Sequence, residues 1–111
     1  MTNWYTQKTR DLLSAITHPS RVAILEFLSD RDFGTNKSFR QHLKTLQPKA
    51  GGDSPAVVTH HVALLEKSGL VKHSVDDARV IIATAMGRRM IRLLRQMISN
   101  SDLEQSWDRS L

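Results

Sequence analysis

The sequence predicts a mainly helical single domain of about five helices and a two-stranded β-hairpin, and three observations carry that prediction. Apolar residues recur at helical spacing in five separate stretches. Between the fourth and the fifth, the period changes to alternation on either side of Asp76 and Asp77. A chain of 111 residues has room for one hydrophobic core and little else.

Each element has a local reason. Tyr5, Leu12, Leu13 and Ile16 place a first helix over residues 3–16. Pro19 suits the first turn of a second helix, Pro19–Ser29, because an amide there needs no intrahelical acceptor. Val22, Ile24, Leu25, Phe27 and Leu28 make that helix central to the core. Ser38 and Gln41 have capping-box spacing, so a third helix is expected over residues 39–46, with Phe39, Leu43 and Leu46 inward. Residues 47–53 contain Pro48, Gly51 and Gly52 and read as the one long inner loop.

Ser54 as cap and Pro55 at the first position then announce a fourth helix within residues 54–68, which Gly69 closes. Val71, His73 and Val75 alternate along one strand, and Val80, Ile81 and Ile82 form the return strand. Thr84 caps a last helix over residues 85–100, whose stripe is Met86, Met90, Leu93, Leu94, Met97 and Ile98. Residues 1–100 thus form the domain. In the tail, 101–111, Ser101 and Glu104 repeat the capping-box spacing, so it is expected either as a short helix bearing Leu103, Trp107 and Leu111 that clasps a partner, or as a solubilising tail.

Charge is the unusual feature of the composition. The formal net charge is +5, and residues 1–100 alone hold 15 Lys and Arg against 8 Asp and Glu, a surface that attracts polyanions. The absence of cysteine excludes disulfides, thiolate metal sites and a cysteine nucleophile, and fits a reducing cytoplasm, the expected location. Neither a secretory signal nor a membrane span is expected, because MTNWYTQKTRDLL lacks a long apolar run and nowhere do 18 apolar residues follow one another.

The fourth helix carries the chemistry. With Val58 inward, Val62 and Leu65 fall beside it and His61 lies at the edge. Ala56, His60, Ala63 and Lys67 point outward, with Thr59 on the flank. A solvated helix face usually bears several long charged side chains. Here the side chains are short, which lets the backbone approach another surface. A DNA major groove about 12 Å wide admits one helix, Thr or His can bond base edges, and alanine can touch a thymine methyl group. Alanine is also the best helix former, which by itself would account for its presence.

The stretches SPAVVTHHVALLEKSGLV, KHSVDDARVIIAT and AMGRRMIRLL, preceded by LLSAITHPSRVAILEFL, resemble winged helix-turn-helix regulators of the ArsR type over about residues 9–95. The resemblance implies a homodimeric repressor of transcription that binds double-stranded DNA at a pseudo-palindromic operator, with the fourth helix in the major groove and the hairpin as wing. It assigns base reading to Ser54, Ala56, Thr59, His60 and Ala63. Phosphate or wing contacts fall to Lys37, Arg40, Lys44, Lys49, Lys67, Lys72, His73 and Arg79. Dimerisation falls to the first and last helices and the tail, through Trp4, Tyr5, Leu12, Met90, Leu94, Met97, Ile98 and Trp107. No particular effector follows from it.

The sequence departs from that pattern in four ways. The 47–53 loop lengthens a turn that is usually short; a tolerated surface insertion is the preferred reading, with a Lys49 phosphate contact as the alternative. Pro55 replaces a possible polar contact. The acidic wing tip should not enter a minor groove deeply. Many ArsR-type proteins sense metals through early cysteines or clusters on the closing helix, and this sequence has neither. His60 and His61 project about 100° apart, and zinc binding by His18, His42 or His73 would need chance convergence, so neither metal nor cofactor is expected. Arg88, Arg89, Arg92 and Arg95 read as a solvated or DNA-skirting face in preference to an anion pocket.

An enzyme finds no support, since there is no phosphate-binding glycine loop and no carboxylate pair beside a nucleophile. The alternative to a DNA-binding regulator is a winged-helix module that docks on protein, because a fold does not dictate function.

Overall fold

The computed structural model describes residues 6–47 and 53–110, with side chains in the last helix as far as Met97. The elements follow the order α1 (Gln7–Thr17), α2 (Pro19–Ser29), α3 (Asn36–Leu46), α4 (Pro55–Lys67), β1 (Val71–His73), β2 (Ile81–Ala83) and α5 (Ala85–Ser110). The expected mainly helical class with one hairpin is what forms.

Local chemistry sets most boundaries. The Thr6 side chain accepts from the Thr9 amide and starts α1 at Gln7, later than the expected residue 3; Asn3 to Tyr5 lie outside the described residues. His18 ends α1 and starts α2, its Nδ1 accepting from the Ser20 amide at 3.1 Å beside Pro19 in the first turn. The capping box of α3 is Thr35 with Ser38, not Ser38 with Gln41: Thr35 Oγ1 accepts from the Ser38 amide and Ser38 Oγ from the Thr35 amide. The helix therefore begins three residues earlier than expected, at Asn36. At the end of α4, Gly69 has φ +79°. Its amide reaches Glu66 O while the Leu70 amide reaches Leu65 O, the paired closing bonds of a Schellman motif.

The core gathers around α2, which touches α1, α3, α4, α5 and β2. Ile24, Leu25 and Leu28 are buried there with Phe39 and Leu43 from α3, Val58, Val62 and Leu65 from α4, and Leu70, Ile81 and Ile91. Leu46, expected inward, is 54% exposed, because it is the last residue of α3 and the core ends at Leu43.

The hairpin is antiparallel, with Val71 opposite Ala83 and His73 opposite Ile81. It is shorter than expected: β1 stops at His73, so Val75 lies fully in water, and the return strand is shifted one residue onward to Ile81–Ala83. Gly34 exchanges two backbone hydrogen bonds with Ile81, both 2.8 Å, tying the α2–α3 turn to the hairpin's edge. Thr84 joins the far side. Its Oγ1 donates to Gly69 O and accepts from the Gly87 amide, and its own amide donates to Leu70 O.

α5 continues to Ser110 without a break at Ser101, so the spacing of Ser101 and Glu104 starts no separate helix. Most of its expected stripe faces outward, and the buried seam runs through residues the stripe left out. Gly87 and Ile91 are buried against the body, with Leu94 half-buried. Met86, Leu93 and Met97 are exposed, at positions i, i+7 and i+11 of an outward seam, while half-buried Met90 packs against the core. No helix among the described residues is long and apolar enough to cross a membrane.

Candidate nucleic-acid interface

α4 is held on three sides and open on the fourth. Val58, His61, Val62 and Leu65 are buried, while Ser54, Pro55, Ala56, Val57, Thr59, His60, Ala63 and Lys67 are exposed. All five residues expected to read bases are therefore accessible, Ser54 as the cap and the other four along the helix. Val57, 40% exposed, joins them. It sits one residue before the inward Val58 and was not among the residues expected to read bases. Thr59 is held in place, its Oγ1 lying 2.9 Å from Pro55 O and 3.3 Å from Asn36 Nδ2. Asn36 is a contributor that sequence reasoning missed, because α3 was expected to start after it.

His61 corrects the edge position read from the wheel: it is 4% exposed. Its Nδ1 lies 3.2 Å from Arg21 Nη1, and its ring lies 4.5 Å from that of His18. Burial, and after it the nearby charges of His18 and Arg21, push the His61 pKa down, while Asp53 pulls it up. His60, one residue away, remains outside in water.

The expected phosphate contacts divide. Lys37 and Lys44 on α3, Lys67 on α4 and Lys72 on β1 are exposed. Arg40 turns its Nε to the Asp53 carbonyl at 3.2 Å, bracing the start of α4. His73 is committed within the fold: Nδ1 donates to Ala78 O at 2.7 Å and Nε2 lies 2.9 Å from Glu66 Oε2, joining wing to α4. Arg79 is fastened to the wing tip, its Nε and Nη2 each 3.2 Å from one oxygen of Asp77. Those hydrogen bonds hold the Asp77 carboxyl below its ordinary range and raise Arg79 correspondingly. Lys49 lies outside the described residues.

Of the expected dimer residues, Leu12, Met90 and Leu94 are half-buried and Met97 is 64% exposed. Trp4 and Tyr5, with the side chains of Ile98 and Trp107, lie outside what the structure describes. Among the described residues, no three His, Cys, Asp or Glu converge as a metal site would require.

No protein-family model matches the sequence, and no curated protein is significantly similar to it. Solved structures are similar in fold. A transcriptional regulator described as of the MarR family, from Enterococcus faecalis, superimposes with a TM-score of 0.73 at 19% identity over 100% of both chains. HlyU from Vibrio cholerae gives 0.64 at 22% identity, covering 86% of this chain and 97% of that one. The homodimeric winged helix-turn-helix DNA-binding domain of Mb0332 from Mycobacterium bovis gives 0.63 at 19%, covering 88% and 83%. The chain has the winged helix-turn-helix fold.

Proposed function

We propose that this protein is a cytoplasmic, DNA-binding transcriptional regulator of the ArsR type, a homodimeric repressor that places one α4 in the major groove at each half-site. The observation that carries the reading is the open face of α4. Ala56, Thr59, His60 and Ala63 are exposed on a helix whose other side is sealed in the core, and lysines 37, 44, 67 and 72 on α3, α4 and β1 are exposed as well. Short side chains let the helix backbone sit deep, Thr59 and His60 supply hydrogen bonds to base edges, and the lysines position without reading. The similar Mb0332 domain, described as homodimeric and DNA-binding, supports both halves of the proposal. The outward seam of Met86, Leu93 and Met97 is the surface on which two copies would pair, leaving their α4 helices about 34–36 Å apart, one turn of DNA.

Binding to random duplex DNA at two salt concentrations, together with selection from a random pool, tests the reading. Affinity should fall steeply with salt, because phosphate contacts release counterions, and the pool should yield a palindrome. Thr59→Ala and His60→Ala should each weaken the selected site by about 1–3 kcal/mol while random-sequence binding changes little. Absence of DNA binding at low salt refutes the proposal and favours a module that docks on protein.

A further inference from the structure

Beneath the open face of α4 lies a buried polar cluster that reading of bases does not use. Arg21, on α2, is 8% exposed, and its guanidinium bonds three partners: Nε donates to Ala15 O at 3.2 Å, Nη2 to Ser14 O at 2.8 Å, and Nη1 meets His61 Nδ1 at 3.2 Å. A guanidinium can only donate, so Nδ1 accepts and the ring of a neutral His61 carries its proton on Nε2. That Nε2 faces Asp53 Oδ2 at 3.7 Å. Both atoms are buried and have no hydrogen-bond partner, an arrangement that costs free energy unless the two groups act on each other.

We propose that Arg21, His61 and Asp53 form a buried relay that sets the pose of the first turn of α4, so that all three are positioning residues for the exposed reading face. Asp53 immediately precedes Ser54, whose side chain and carbonyl accept the amides of Val57 and Val58. Moving the carboxylate therefore moves the cap. Two anchors hold it: Arg40 of α3 on its carbonyl and His61 of α4 opposite its side chain. At the other end, Arg21 grips the last turn of α1 through two carbonyls. The chain of contacts thus runs from α1 through α2 to the beginning of α4.

The relay depends on protonation. A proton added to Nδ1 of His61 would turn the acceptor of Arg21 into a donor facing a donor. The charged and titratable groups around the ring are His18 before α2, Arg21 on α2, Asp53 before α4 and His60 on α4. Of these, only Asp53 favours the protonated ring. The relay is thus complete at neutral pH and opens in acid.

The test compares Asp53→Ala, which deletes the acceptor, with Asp53→Asn, which keeps it without charge. Nitrogen NMR of the histidine rings in the free wild-type chain should show His61 as the Nε2–H tautomer, titrating at lower pH in both variants once the carboxylate is gone. In Asp53→Ala, exchange of the Val57 and Val58 amides should quicken, and the ratio of selected-site to random-DNA affinity should fall about tenfold, the worth of one groove contact. Asp53→Asn should restore both. An Nδ1–H tautomer, or a His61 titration indifferent to Asp53, overturns the relay. Unchanged amide exchange in Asp53→Ala overturns its positioning role. The affinity readout rests on the DNA-binding proposal above. If the wild-type chain bound no DNA, that proposal alone would fall, and ring tautomer and amide exchange would still decide this one.

Discussion

Replacing Gly87 with alanine should destabilise the protein although it adds a better helix former. Gly87 lies in the first turn of α5, where the missing side chain lets the helix rest on the backbone of Leu70. A Cβ built there would overlap the Leu70 carbonyl oxygen and stand 3.1 Å from its carbon and 3.5 Å from Leu70 Cα. The carbonyl cannot swing away cheaply, because it accepts the Thr84 amide at 3.0 Å and Leu70 is fully buried. Alanine gains about 1 kcal/mol of helix propensity. Overpacking against fixed backbone costs about 1–3 kcal/mol. Stretching the Thr84 bond removes about 1 kcal/mol more. The balance is a loss of about 1–3 kcal/mol, or roughly 4 °C or more in Tm for each of them in a domain of this size. Thermal denaturation followed by far-UV circular dichroism measures it, with Arg89→Ala, exposed on the same helix, expected to stay within about 0.5 kcal/mol of the parent. A Gly87→Ala protein that melts at or above the parent temperature refutes the reasoning, and with it the claim that α5 is seated on Leu70.

Three further outcomes are expected. Because burial holds the folded-state pKa of His61 below its ordinary 6.5, the unfolded chain takes up that proton first. The stability due to neutral His61 is therefore full above about pH 6.5 and is lost as pH falls through the depressed folded-state value, at a slope of up to about 1.4 kcal/mol per pH unit. Urea midpoints measured across this range should fall less steeply for His61→Gln than for the parent; parallel curves would contradict the assignment. Asp77→Ala, which removes both acceptor oxygens, should release Arg79 from the wing tip, raising affinity for random DNA and steepening the log–log salt dependence by about 0.9 for the added phosphate contact, whereas an unchanged slope would show that the wing stays away from DNA. Leu93→Glu, placed on the outward seam of α5, should leave helicity intact and shift sedimentation towards the 12.6 kDa of a single chain; an unaltered assembly would move the dimer surface elsewhere.

What could be read from the sequence was chiefly local. Pro19, Ser54, Pro55 and Gly69 act within a turn of their own position, so α2 and α4 could be delimited almost to the residue. The start of α3 escaped because Thr35 and Ser38 are both competent caps, and the structure uses Thr35 as cap with Ser38 answering from the third position. The open face of α4 followed from periodicity. The burial of His61 did not, since its partner Arg21 stands 40 positions away and a wheel shows angles without neighbours. Arg21 lay within the stretch LLSAITHPSRVAILEFL that carries the resemblance, but its work in bonding Ser14, Ala15 and His61 needed three elements in place. Likewise, the apolar stripe read on α5 left out Ile91, which is buried, and included Met86, Leu93 and Met97, which are exposed, because a sequence does not say which aliphatic residues the body covers.

The tether on Thr59 limits what it can recognise. Its hydroxyl has one proton and two lone pairs. The proton is given to Pro55 O, and one lone pair takes a hydrogen of Asn36 Nδ2. A single lone pair is left, so whatever meets it must bring a hydrogen. In the major groove the adenine N6 and cytosine N4 amino groups do so, whereas guanine O6 and N7 and thymine O4 do not. If α4 enters the groove as proposed, two neighbouring residues will already have reduced an ambidextrous hydroxyl to a detector of amino groups.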